Sequence, residues 1–388
     1  MSVARRRYRS LDGLRGLAAF VVLIHHSLLA VPSLANPYAS IPTPRSNGDW
    51  WWVYTPLHDF WDGTVAVYLF FILSGFVLTI PARSGKIRWR AYYPQRIARL
   101  YIPTSAGVGF ALALFWLVPR VSREGLSWWM NSHAFNITVH SVVRDAILVR
   151  GTDSLSSSLW SLRWEVLFSL LLPAYVIIGR PAARYWKLTL VVVLAVIALG
   201  SQYGWFEGAA MYLPMFAIGS ILAFGQNEIH AVFSKGAGGI PFFWSGILLA
   251  AAVLVDSKWL LLAFDPESSA WKLSLTVAMQ TLGASLLVIS AMWCGQLCRL
   301  LERPNLRWLG SRSFSLYLVH EPIVVSVAML LGIGWQRTVI LITVPIALVA
   351  ADLFFRLIER PSHQIARWIG LFAAHEPRTV QVDPAPEV

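Results

Sequence analysis

Two ionisable side chains, Arg15 and His26, lie in one apolar run that reads Ser10-Leu11-Asp12-Gly13-Leu14-Arg15-Gly16-Leu17-Ala18-Ala19-Phe20-Val21-Val22-Leu23-Ile24-His25-His26. At about 100° per residue, their spacing returns to one helix face with a rise of roughly 16 Å. Ionisable groups inside a bilayer segment are costly and mark pathways or sites. Arg15 could instead snorkel to the headgroups. His26 is too far along the run for that.

A second candidate is Glu165, in Ser156-Ser157-Ser158-Leu159-Trp160-Ser161-Leu162-Arg163-Trp164-Glu165. Counted from the outer end of its apolar run, Glu165 lies roughly 7–8 Å deep, a depth similar to that expected for His26. The expectation is that the two meet, the carboxylate orienting a histidine base. A pair between Arg163 and Glu165 is the competing reading, weakened because i,i+2 neighbours do not face each other on a helix. Ser313-Phe314-Ser315-Leu316-Tyr317-Leu318-Val319-His320-Glu321-Pro322 carries further polar groups. There His320 falls about 10 Å from the inner face, and packing or catalysis both stay open for it. Arg96 and Arg99 in Arg96-Ile97-Ala98-Arg99 are either a topological anchor or a clamp for a polyanion, since guanidinium forks match phosphate. Gly75 suits close helix approach. Asp352, Arg356 and Glu359 have the spacing of a local ion-pair ladder.

The elements that position these groups are membrane spans. Of 388 residues, 56% are hydrophobic and 13% charged, and mean hydropathy is +0.58; soluble domains carry about a quarter charged residues. Apolar runs near 12–31, 63–82, 101–119, 160–178, 186–201, 209–226, 241–255, 273–293, 313–332 and 338–356 predict an all-α integral membrane bundle of about ten helices. Several of the 19 Trp stand at the ends of such runs, as interfacial aromatics do. With the N-terminus inside, Lys and Arg divide 22 to nine in favour of the inner segments, leaving Arg15 aside. This places both termini in the cytoplasm.

The net charge of +12 is spread over short loops, which argues for topology and against nucleic-acid binding. Cys294 and Cys298, without nearby ligand partners, read as inert thiols, and no metal is expected. No cleavable signal peptide is expected. Two outer segments are long. Residues 32–62, with His58, Asp59 and Asp62, suit a lid or an acceptor-binding surface. Within residues 120–159, the stretch 138–149 is amphipathic and suited to the interface. Residues 1–370 form one membrane domain, and 371–388 a polar, Pro-rich tail expected to be disordered.

Taken in order, Leu11-Asp12-Gly13-Leu14-Arg15-Gly16 with His26, Phe70-Phe71-Ile72-Leu73-Ser74-Gly75-Phe76, Arg96 to Arg99 with Pro103, Leu159-Trp160-Ser161-Leu162 with Glu165, and the stretch ending His320-Glu321-Pro322 resemble the bacterial membrane-bound acyltransferase 3 family. The resemblance implies a ten-helix bundle in the bacterial plasma (inner) membrane. It implies transfer of an acyl group, usually acetyl, from cytoplasmic acyl-CoA to a hydroxyl of an extracytoplasmic glycan, glycolipid or other small acceptor. It implies His26 and Glu165 as catalytic residues, His26 either deprotonating the acceptor hydroxyl or transiently carrying the acyl group, and Arg15, Arg96 and Arg99 as the acyl-CoA site. Asp12, Ser74, Trp160, His320 and Glu321 are implied as supporting residues. His25, where the family more often has an aromatic residue, lies about 80° off the Arg15–His26 face. Some relatives carry an added C-terminal hydrolase-like domain that this sequence lacks, so transfer is expected to finish in the membrane domain or on a partner. A proton-coupled transporter is the chief alternative, since buried His, Glu and Arg also build relays; it would predict inverted repeats. A non-catalytic scaffold leaves the aligned ionisable groups unexplained. Acetyl against succinyl, and the acceptor among polysaccharide, glycolipid, peptidoglycan and macrolide hydroxyls, stay open.

Overall fold

The computed structural model describes residues 8–374, apart from 86, 134–135 and 149–154. Arg5, Arg6, Arg7, Lys86, Arg150 and Arg378, used above to orient the chain, lie outside the described residues. Among those described, every regular element is helical. The helices of thirteen or more residues are α1 (Arg9–Leu28), α2 (Gly63–Thr79), α3 (Trp89–Leu117), α4 (Trp160–Arg184), α5 (Trp186–Tyr203), α6 (Ala209–Phe224), α7 (Gln226–Gly239), α8 (Phe243–Val255), α9 (Ala270–Trp293), α10 (Ser313–Leu331), α11 (Val339–Phe354) and α12 (Arg360–Ala374). Nine stretches are long and apolar enough to cross a membrane, and α7 with α8, bent by 118°, makes a tenth. The all-α membrane bundle expected from the sequence is what the chain forms.

Three boundaries differ from the sequence reading. Helix α3 starts at Trp89, so Arg96 and Arg99 stand on adjacent helical turns and not in a loop. Apolar runs stop at charge, whereas this helix continues, through Pro94, with Arg96 and Arg99 facing the polar cavity described below. The run 241–255 holds only thirteen helical residues, about 20 Å of rise against a core of about 30 Å; the bent α7 precedes it. The last span does not stop at 356. It passes through a π-helical turn, Phe355–Glu359, into α12, which reaches Ala374. Residues 371–374 are therefore helical, and the rest of the expected tail lies outside the described residues.

Helix α1 is central, touching α2, α9, α10, α11 and the short helices Gly295–Leu301 and Pro304–Ser311. It gets close enough because glycine faces backbone. A Cβ on Gly310 would stand 2.0 Å from the Asp12 carbonyl oxygen. Gly75 plays the same part between α2 and α6, where a Cβ would stand 2.2 Å from the Phe216 carbonyl oxygen. Small residues thus replace side-chain interdigitation where helices must nearly touch.

The described parts of the two long connecting segments fold together as a cap over one end of the bundle. Helix Trp128–Asn131 is capped by Ser127, whose hydroxyl also donates to the Leu29 carbonyl at 2.7 Å, and Trp128 Nε1 donates to the Ala35 carbonyl at 2.7 Å. Helix Val139–Ile147 begins with a capping box of Thr138 and Ser141. Its exposed residues Val139, Val143 and Ile147 share one face, while Ser141 and Asp145 are buried. That is the polarity of a helix lying against lipid.

Candidate active site

Near the far end of α1, His26 meets His320 of α10. His320 Nδ1 lies 2.9 Å from the Leu316 carbonyl oxygen. A carbonyl only accepts, so His320 carries a proton on Nδ1 and leaves Nε2 as an acceptor. His26 Nδ1 stands 2.9 Å from that Nε2 and 3.1 Å from the Val22 carbonyl oxygen. The proton shared there belongs to His26 Nδ1, and the His26 lone pair is consequently on Nε2. The His26 ring stacks against Trp129 of the cap, centroids 5.4 Å apart. A histidine with one nitrogen committed and the other unprotonated is an oriented base.

Beside the pair sits Glu321. Its carboxylate accepts from the backbone N–H of Ser157 and of Ser158, each at 2.6 Å, and from Ser156 Oγ at 3.3 Å. It also accepts from His133 Nε2 at 2.9 Å. The other His133 nitrogen, Nδ1, is 2.7 Å from the Trp129 carbonyl oxygen. Both His133 nitrogens therefore face acceptors. His133 and Glu321 thus form a buried hydrogen-bonded pair, both side chains shut off from solvent. Helix Trp128–Asn131 thus sets Trp129 against one histidine and leads the chain to another, His133, on the neighbouring carboxylate.

His26, His320 and Glu321 bring three possible metal-ligand atoms within 4.8 Å of one another. Two of the three have their lone pairs in use: His320 Nε2 accepts from His26, and Glu321 holds four donors. The arrangement suits proton transfer better than metal ligation.

At the end of the bundle where α1 begins, a cavity of about 1430 Å³ opens between α1, α2, α3, α4 and α10. Arg15, Arg96 and Arg99 all line it, as do Asp12, Ser74 and Glu165. Arg15 Nη2 donates to the Gly310 carbonyl at 2.9 Å, while its buried Nε has no partner. Arg99 makes no hydrogen bond among the described residues. Glu359, at the end of the π-helical turn, accepts from the Ser315 N–H at 3.1 Å and hydroxyl at 2.5 Å and bears electrostatically on Arg15 and Arg99. It is not a rung of the expected ladder. Asp352 pairs with Arg356 at 2.8 Å and with Arg312 at 2.5 Å.

The expected meeting of His26 and Glu165 does not occur. Glu165 Oε1 accepts from Arg96 Nη2 at 2.6 Å and from Ser74 Oγ at 3.3 Å, and Arg96 Nε donates to Ser169 Oγ at 3.0 Å. Ser157 and Ser158 are the part of this segment that reaches Glu321 beside the histidines, and Glu165, seven residues and about 10 Å of helical rise further on, meets the guanidinium of α3, whose charge is opposite to its own. The structure groups Glu165 with the arginines and gives His26 to His320. Arg163 binds Glu207 at 2.7 Å, so no pair with Glu165 forms either. Trp160 packs on Phe71 and Tyr212. His25 is fixed away from His26's partners: its Nδ1 lies 3.0 Å from the Trp61 carbonyl oxygen, and a Cβ on Gly63 would strike its ring. Sequence reasoning missed His133 and Trp129, which no periodicity marks.

The acids of the segment 32–62 and its neighbours form a separate cluster. His58 is wedged between Trp61 and Trp259, with Nε2 2.8 Å from the Tyr38 hydroxyl. Burial, and then the charges of Asp256 and Asp62, push Asp59 up to about 8. Burial and Asp62 push Asp256 up to about 7. Lys258 lies over Trp259, 4.8 Å from its ring centre, and burial lowers its pKa.

A family model described as an acyltransferase domain matches residues 8–356. Acyltransferase MdmB of Streptomyces mycarofaciens is 25% identical over 353 residues, covering 85% of this chain and 87% of its own. Peptidoglycan O-acetyltransferase OatA of Listeria monocytogenes is 22% identical over 403 residues, 92% of this chain and 56% of its own. YrhL of Bacillus subtilis is 24% identical over 404 residues, 92% of this chain and 55% of its own. The chain spans about half the length of these last two. No solved structure gives a significant match.

Proposed function

The chain belongs to the acyltransferase 3 family, and from that membership we propose that it carries an acyl group, acetyl first among them, from cytoplasmic acyl-CoA to a hydroxyl on the outer side of a bacterial plasma membrane. Both termini are cytoplasmic in this reading, which the Arg and Lys distribution supports. The acceptor is a glycan, a glycolipid or another small hydroxyl compound. Membership in an acyltransferase family answers the transporter alternative.

The observation that carries the proposal is an arginine-lined cavity closing one helical turn short of a tautomer-fixed histidine pair. At about 1430 Å³ the cavity exceeds the 300–1,000 Å³ typical of drug-sized ligands, as a bulky donor requires. Arg15, Arg96 and Arg99 hold the donor's phosphates, Arg99 without competing for a protein acceptor. Glu165 holds Arg96 in place until phosphate arrives. The pantetheine arm extends toward His26, whose distance from Arg15, roughly 16 Å along α1, suits it.

At the histidine pair, His26 Nε2 removes the proton of the acceptor hydroxyl as that oxygen attacks the thioester carbonyl carbon. The C–S bond breaks, and the imidazolium returns its proton to the departing thiolate. An ester and free CoA result, with no net proton change. His320 holds the His26 proton on Nδ1, and the Glu321 carboxylate offsets the charge that His26 gains. The experiment is to incubate purified chain with labelled acetyl-CoA and to compare surface glycans and secreted products by mass spectrometry with and without the protein. Loss of label from CoA together with an acetylated product is expected. No consumption of any acyl-CoA, and no change in the glycans or products, would overturn the proposal.

A further inference from the structure

On the side of the histidines, the donor cavity reaches Tyr317 of α10. On α10 its wall includes Ser313, Phe314 and Tyr317 and does not include His320, one turn further on. On α4 it reaches Ser161, and on α2 Phe70. The Tyr317 hydroxyl donates to the Ser158 carbonyl at 2.7 Å and is 2.6 Å from Ser161 Oγ, which donates to it. The ring is 6.0 Å from Phe70, edge to face, and 5.8 Å from His320. Tyr317 therefore stands between the cavity and the imidazoles. It is pinned by its hydroxyl to α4 and braced by Phe70 of α2.

We propose that Tyr317, braced by Phe70, sets which acyl groups reach His26 and admits short ones. The inference rests on the donor reading above. Attack needs the carbonyl carbon within about 3–3.5 Å of the oxygen that His26 activates. Any acyl group must therefore pass the plane of this ring. An acetyl group passes with a small rotation of the phenol. A long chain needs Tyr317 and Phe70 to part, in an interior packed too closely to yield by that much.

The test measures equilibrium binding of CoA, acetyl-CoA and octanoyl-CoA to the purified full chain. The parent is expected to prefer acetyl-CoA to octanoyl-CoA by tenfold or more. Tyr317→Ala should move that ratio at least tenfold toward octanoyl-CoA, and Tyr317→Phe, which keeps the ring, should hold it within threefold. General damage would weaken all three probes together and leave the ratio alone. Phe70→Ala opens the passage from the other side and should move the ratio in the same direction, which keeps the test valid if Tyr317→Ala does not fold. A parent without preference, or a ratio unmoved by either alanine variant, overturns the inference while the donor reading stands. Failure of the parent to bind CoA at all overturns the donor reading and the inference with it.

Discussion

His320 helps fix the tautomer of His26: its Nε2 accepts a hydrogen bond from His26 Nδ1 across 2.9 Å because its own Nδ1 proton is committed to the Leu316 carbonyl. The consequence is kinetic. His26→Ala removes the base and should lower turnover of labelled acetyl-CoA by about 10²–10⁴-fold. His320→Phe keeps a ring of similar shape but leaves His26 Nδ1 only the 3.1 Å Val22 carbonyl as acceptor, so the tautomer is held less firmly. It should lower kcat at least about tenfold while leaving donor KM nearly unchanged. His25→Ala should retain a measurable rate. Equal rates for the parent and His320→Phe would show that His26 needs no tautomer partner.

On the proposed donor reading, the arginines act on acyl-CoA binding and not on the chemical step. Arg99→Ala and Arg96→Ala should each weaken acyl-CoA binding by about 1.5–3 kcal/mol, the worth of a charge-assisted contact. They should differ in one respect. Arg96→Ala leaves Glu165, its 2.6 Å partner, as an uncompensated carboxylate beside the phosphate site. Adding Glu165→Gln should therefore restore part of the binding lost in Arg96→Ala and nothing in Arg99→Ala. A titration with acyl-CoA decides it. Equal effects of Glu165→Gln in both backgrounds would uncouple Glu165 from Arg96.

Much of this was legible in the chain. The Arg15–His26 face followed from helical period alone, and Gly75 marked a close approach correctly. The partner of His26 was not legible, because the end of an apolar run does not fix the level of a side chain and says nothing of azimuth. Glu165 was counted to the depth of His26 and lies instead beside Arg96 in the cavity, with Ser157 and Ser158 of its segment at the level of the histidines. His320 was counted to the middle of the bilayer, yet its helix crosses α1 so that the two rings meet. His133 could not be read at all. It sits in an irregular connecting segment, and its role comes from a contact with Glu321 that spans most of the chain.

That contact should matter to stability. His133 and Glu321 side chains are 1% and 0% exposed, and removing either leaves the other buried without its partner. Breaking such a pair costs about 3–5 kcal/mol. His133→Ala or Glu321→Ala should each lower the thermal midpoint of the detergent-solubilised protein by several degrees. The double variant should be no worse than the sum of one loss and a cavity. Two single variants with the parent's midpoint would place this pair outside the stabilising contacts.

The acids of the segment 32–62 and its neighbours predict how stability varies with pH. Burial, with the neighbouring carboxylates, raises Asp59 to about 8 and Asp256 to about 7, from an ordinary value of 3.8. The folded protein then holds protons that the unfolded chain has already lost. Stability from these groups is complete below the unfolded pKa and is lost as pH climbs through the folded values. The groups facing them include Asp62, itself raised by burial, and Lys258, whose positive charge opposes that shift at Asp62. From pH 5 to pH 9 the thermal midpoint should therefore fall. Asp59→Asn and Asp256→Asn, which keep the shape and remove the titration, should flatten that fall and raise the midpoint at pH 9 above the parent's. Melting curves at matched ionic strength are the measurement. A parent midpoint that rises over this range, or asparagine variants that follow the parent at every pH, would mean that these carboxyls are ionised in the folded state throughout.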